Sequence, residues 1–189
     1  MSSIRWIVAA ALAGMTLTAL AASEAELTRE ARALVKQYAH RLKHELKHAL
    51  SEEGVTGAIK ACRVKAPDIG AEVSDASGWS VRRTSLKLRS LDDVPDKWEV
   101  KVLESFERRK AAGEPVARID HAEVVTQKGR RWFRYMKAIP TQKVCLKCHG
   151  GDISEDVREA LDASYPFDQA RGFKEGDIRG AFTLKRALD

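Results

Sequence analysis

Apolar residues recur at steps of three and four through Leu27, Ala31, Leu34, Tyr38, Leu42, Leu46 and Ala49, which predicts an amphipathic helix over about 25–50. A second helical pattern runs from about Ser51 to Ala66 and is expected to stop before Pro67. Trp79 to Ser85 reads as extended. Pro95 stands near the start of a third helix carried by Trp98, Val102, Leu103 and Phe106, which ends around Gly113. Val116–Thr126 and Arg131–Ile139 read as two strands joined by Gln127-Lys128-Gly129-Arg130, a hairpin loop with a glycine available for positive φ. A short helix over Ser154–Ala163 and a last strand over Ile178–Lys185 complete the pattern, which has no internal repeat and no low-complexity tract. Helices first and antiparallel strands later argue for an α+β fold.

The first residues follow a different pattern. Arg5 is followed by an apolar stretch from Trp6 to Leu20, then by the small residues around Ala19-Leu20-Ala21 and the polar opening Ser23-Glu24. This is the layout of an export signal, giving a signal peptide over 1–22, one mature domain over 23–189 and a periplasmic location. The run is short for a membrane span, so contact with a membrane is expected only if the segment is retained. No cysteine near the cleavage site indicates a lipoprotein anchor.

Composition adds a basic balance, with formal net charge +6 and pI about 9.3. Export makes nucleic acid an unsuitable partner, and the cations are scattered over polar faces rather than gathered in one tract. They suit a solvated surface, contacts to an anionic cofactor edge, or steering toward an acidic redox partner.

The chemistry is concentrated in Cys145-Leu146-Lys147-Cys148-His149, closed by Gly150. C-x-x-C-H is the attachment sequence of haem c: two thiols three positions apart add to the vinyl groups of one porphyrin, and the next histidine is placed as an iron ligand. Export and this motif support each other. Of the three cysteines, Cys62 is then left over in an oxidising compartment. It is a small buried residue among Ala58, Ile59, Ala61 and Val64, a partner for another chain, or a second axial ligand; spacing leaves these open.

His40, His44 and His48 share one helix face opposite Leu42 and Leu46, as a solvated stripe does. His121 and Met136, on the two hairpin strands, are alternative axial ligands of lesser weight. A zinc site of Cys62, Cys145, Cys148 and His149 would need adjacent Cys148 and His149 on one tetrahedral ion. A thiol–disulfide oxidoreductase would need the C-x-x-C after a parallel strand, whereas here it follows a hairpin.

Several segments carry a family resemblance in order: Ala58-Ile59-Lys60-Ala61-Cys62 with Ala66-Pro67, Val81-Arg82-Arg83-Thr84-Ser85-Leu86-Lys87, and Pro95-Asp96-Lys97-Trp98-Glu99. The haem motif follows, then Tyr165-Pro166-Phe167-Asp168-Gln169-Ala170 and Gly176-Asp177-Ile178-Arg179-Gly180-Ala181. In that order the chain resembles the Tll0287-like family of exported haem proteins. The resemblance implies a PAS-like antiparallel sheet with long N-terminal helices and one covalently attached haem c. It further implies His149 as proximal and Cys62 as distal axial ligand. Arg82, Arg83, Lys87 and Arg179 are the basic residues within matching segments and the expected propionate contacts. The chain departs from the family after Lys87, where Arg89-Ser90-Leu91-Asp92-Asp93 replaces the usual Arg-Asn-Pro-x-Asn continuation.

Two axial ligands suit a monohaem c-type cytochrome-like protein that transfers electrons to an unknown redox partner protein or reports redox state, and not an enzyme. The alternative is a haem-based redox or gas sensor module signalling to a separate partner.

Overall fold

A computed structural model describes the backbone of residues 4–188, and side chains from Glu24 onward. The expected export signal, residues 1–22, therefore lies outside the residues described in full. Among the described residues no helix is long and apolar enough to cross a membrane.

The chain opens with two long helices, α1 (Ile4–Glu52) and α2 (Gly54–Ser77), followed by β1 (Ser80–Thr84) and α3 (Lys97–Ala111). The hairpin β2 (Asp120–Gln127) and β3 (Arg130–Pro140) comes next. Two shorter helices, α4 (Leu146–His149) and α5 (Glu155–Ser164), precede β4 (Ile178–Ala187). The four strands form one antiparallel sheet in the order β1-β4-β3-β2. The fold is α+β, two long N-terminal helices against a four-stranded antiparallel sheet.

Alternation along the strands builds two cores, since successive side chains point to opposite faces. Phe133, Tyr135, Phe182 and Leu184 pack with Ala31, Val35 and Tyr38 of α1 and Ile69 and Val73 of α2. Met136, Ala138 and Ala181, one register over, pack on the other face with Val102, Leu103 and Phe106 of α3. A third cluster joins Ile59 of α2 to Ile153, Val157 and Leu161, with Cys148 and Tyr165 packed against it. That cluster sits beneath the C-x-x-C-H segment.

Two expectations need correction. The helix expected to stop before Pro67 continues through it to Ser77. A proline in a helix interior loses one backbone hydrogen bond and costs about 3 kcal/mol. Against this, Ile59, Ile69 and Val73 are buried on either side of it, each worth about 1.5–3 kcal/mol. The Tyr38 hydroxyl also donates to the Ala66 carbonyl at 2.9 Å. Gly70 permits the same packing: a Cβ there would meet the Tyr38 hydroxyl at 3.2 Å and the Val81 carbonyl at 3.3 Å. The second correction is local. Val116–Arg118 forms a 3₁₀ turn ahead of β2 rather than its first residues, because Pro115 precedes it and the Arg118 amide bonds back to the Pro115 carbonyl at 2.8 Å.

Candidate functional site: the C-x-x-C-H turn and the arginines around it

The motif lies in the long connection between β3 and β4. Lys143–Cys145 makes one 3₁₀ turn, with the Cys145 amide donating to the Gln142 carbonyl at 2.8 Å, and α4 carries Leu146 to His149. Gly150 is demanded by space: a Cβ would stand 2.6 Å from the Leu146 carbonyl oxygen. The turn is then tied to the segment before β4, where the Gly172 amide donates to Gly150 and the Phe173 amide to His149, both at 2.9 Å.

His149 is half-buried, with its ring edge-on to Phe173 at 6.1 Å between centroids. Its Nδ1 lies 2.8 Å from the Ala170 carbonyl oxygen. A carbonyl can only accept, so Nδ1 carries the proton and Nε2 keeps its lone pair. Two guanidiniums stand beside the ring: Arg179 Nε lies 3.2 Å from Nδ1 and 3.4 Å from Nε2, and Arg89 Nη1 lies 3.5 Å from Nε2. Burial, then the charges of Arg179 and Arg89, hold the imidazole well below its ordinary range. His149 is therefore neutral near pH 7, as a metal ligand must be.

Cys62 is half-buried on α2 and lines a cavity of about 220 Å³ together with Tyr38, Arg83, Asp93 and Tyr165. Burial pushes the Cys62 thiol up, against the opposing charges of Arg83 and Arg89. Burial likewise raises the Cys148 thiol, which lies within electrostatic range of both Cys62 and Cys145. The fold thus brings the C-x-x-C-H turn, Cys62 and a cationic wall to one region.

The four basic residues singled out in the sequence divide here. Arg83 is on the cavity wall, 4.0 Å from Asp93. Arg179 bonds Ser85 Oγ and the Lys87 carbonyl beside His149. Burial, then the Arg89 and Arg83 cations, push its guanidinium down to about 10. Lys87 is exposed, its ammonium 5.2 Å over the Phe173 ring. Arg82 borders the cavity, but its guanidinium is committed to Glu99, 2.5 Å away, on the α3 side of the sheet.

His40, His44 and His48 are exposed along α1. Met136 is fully buried in the core under α3, and His121 packs beside Trp98. Both lie on the α3 side, in a cluster separate from His149. Among the described residues no three of His, Cys, Asp and Glu are gathered as a ready metal cluster.

Sequence reasoning gave no role to Arg89, Asp168 or the Ala170 carbonyl. Arg89 pairs with Asp168 through two bonds of 3.1 Å and donates to the Cys148 carbonyl at 2.6 Å. The signal was present, since Asp168 and Ala170 fall in a segment that carried the resemblance and Arg89 opens the departing loop.

The donor set fits a haem c. Two thiols and a neutral imidazole with an unprotonated Nε2 sit on one turn, a third thiol lines a cavity, and the surrounding cations repel one another in a way an anionic propionate would relieve.

A sequence profile of the Tll0287-like family matches residues 17–186. Among solved structures, the chain is similar to the cyanobacterial heme-protein Tll0287, at 25% identity with a TM-score of 0.60, covering 85% of this chain and 96% of that one. No curated protein matches. The chain belongs to the Tll0287-like family.

Proposed function

We propose that this Tll0287-like chain holds one covalently attached haem c and acts in the periplasm as a His/Cys-ligated electron-transfer or redox-reporting protein, not as an enzyme. The observation that carries the reading is the Nδ1–H bond from His149 to Ala170, which leaves Nε2 as a neutral donor on the same turn as Cys145 and Cys148.

Cys145 and Cys148 would anchor the cofactor as thioethers. His149 would be the proximal ligand and Cys62, on the opposing helix, the distal one. When bound, the haem supplies a one-electron iron couple whose potential a thiolate ligand places low. The protein's own contribution is orientation and charge. The Ala170 carbonyl fixes the imidazole, while Arg83 and Arg179 offer cations to propionate groups. A low-dielectric wall from Ile59, Val157 and Leu161 lies beneath the turn. Export through residues 1–22 would deliver the chain to the compartment where such attachment occurs.

The reading is tested by absorption and electron paramagnetic resonance spectra of the exported chain, ferric and dithionite-reduced, with and without CO. Low-spin thiolate signals without CO uptake are the expected result. CO binding on reduction would move the sensor reading ahead. Replacing Cys62 by alanine is expected to give five-coordinate or ligand-swapped haem with a higher potential; an unchanged low-spin spectrum would exclude Cys62 as ligand.

A further inference from the structure

Arg89 joins the segment after β1 to both ends of the turn that carries His149. Its Nη2 donates to the Cys148 carbonyl at 2.6 Å and to the Ala170 carbonyl at 3.2 Å. Nε and Nη2 form the two-point pair with Asp168, 3.1 Å each. Both side chains are withdrawn from water, at 11% and 1% exposure. The same Asp168 oxygen that takes Arg89 Nε also accepts the Ala170 amide at 2.9 Å. Ala170 therefore has its amide held by Asp168 and its carbonyl shared by Arg89 and His149. Arg171 also reaches Asp168, through the other oxygen at 2.9 Å, but makes no bond to Cys148 or Ala170.

We propose that Arg89, with Asp168 as its counter-ion, is the positioning residue for His149. It fixes the Ala170 and Cys148 carbonyls relative to each other, so that Nδ1–H has one acceptor and Nε2 one direction. The partner of a ligating histidine's distal N–H sets ring orientation and ligand basicity. Here that partner is a backbone carbonyl on a loop without regular structure, which has no sheet or helix to hold it. A planar fork of donors can bond two carbonyls and a carboxylate at once, which a lysine ammonium on a flexible stem cannot do with the same rigidity. The proposal rests on the assignment of His149 as an iron ligand.

The test uses the exported, haem-loaded full chain as wild type, Arg89→Gln, Arg89→Lys, Asp168→Asn and Arg171→Gln. Haem content is measured first by the pyridine haemochrome spectrum. A wild-type chain without covalent haem overturns the functional reading and this proposal with it. Given haem, the quantity read is exchange of the His149 Nδ1 proton into deuterated water, followed by electron–nuclear double resonance on the ferric form. The spread of the low-spin g values is read alongside. Arg89→Gln and Asp168→Asn are expected to exchange at least about tenfold faster, the scale of losing one charge-assisted hydrogen bond, with broadened g values. Arg89→Lys should fall between them and wild type, and Arg171→Gln should match wild type. Unchanged exchange in Arg89→Gln overturns the proposal, as does an equal acceleration in Arg171→Gln. If Arg89→Gln does not accumulate, the near-isosteric Asp168→Asn decides, and wild-type exchange in that variant overturns it.

Discussion

The two faces of the sheet each bury arginine, and they treat its charge in opposite ways. Beneath α3, Arg134 and Arg82 meet Glu99 and Asp96, two cations against two carboxylates. Glu99 is 1% exposed and takes four donors: Arg82, Arg134, the Thr183 hydroxyl at 2.7 Å and the Asp96 amide at 2.9 Å. The Trp98 ring covers Arg134 at 4.0 Å. That network is balanced in charge, although the buried Arg134 Nε within it has no hydrogen-bond partner. Around His149, Arg83, Arg89 and Arg179 face Asp93 and Asp168, and Arg179 bonds only hydroxyl, carbonyl and imidazole groups. A surplus cation held near other cations costs stability, whereas the balanced network secures the N-terminus of α3. The difference marks the first network as structural and supports the proposal that the second receives an anionic group.

The comparison breaks most severely at Glu99. Glu99→Ala would leave two guanidiniums with a lost partner, Arg134 among the most buried side chains, and should cost about 3–5 kcal/mol in urea unfolding. Stability falling by less than about 1 kcal/mol would mean that the network does not hold this face of the fold. Arg179→Leu should do the reverse. It removes a cation beside the proposed iron ligand, so the ferric state gains and the midpoint potential should fall by on the order of 60 mV, a tenfold change in a one-electron equilibrium. Unfolding free energy should stay level or rise, by at most about 1–4 kcal/mol, because a buried surplus charge is removed. A potential that rises would contradict the assigned charge effect.

Acid should loosen the Arg89 clamp. Burial works to raise the Asp168 carboxyl, but the hydrogen bonds from Arg89 and Arg171 outweigh it and leave the group below its ordinary range. A lowered folded value contributes stability that is present above the unfolded carboxylate value of about 3.9 and lost as pH falls below it. Asp168→Asn should flatten that part of the acid unfolding curve measured by circular dichroism; an identical curve would remove Asp168 from the account. The smallest effect is expected on α1, where His44→Gln should change stability by less than about 0.5 kcal/mol and leave the haem spectrum untouched.

Much of this contrast was hidden from one-dimensional reading. The apolar periodicity of α1, the hairpin around Lys128 and Gly129 and the strand after Ile178 were legible because each is a local pattern. Pro67 misled because the stop rule weighs one lost hydrogen bond and does not see Tyr38 and Val81 packing against the far side of the helix. Arg82 and Arg83 are neighbours in sequence and both were expected at the cofactor. Strand alternation directs the Arg82 guanidinium to Glu99, 17 positions away, although both arginines border the cavity. Arg89 had no pattern of its own, since its partners Cys148, Asp168 and Ala170 lie 59 to 81 positions away.

The sequence by itself determined the chemistry that needs only adjacency: two thiols and an imidazole within five residues, a glycine after them, and an apolar segment at the start. Tertiary structure alone decided which imidazole nitrogen faces the Ala170 carbonyl, how the four candidate cations are partnered, and that Cys62 lines a cavity. Those properties depend on distance and burial between residues remote in the chain, and such energies appear only once the fold has excluded water and set the groups against one another.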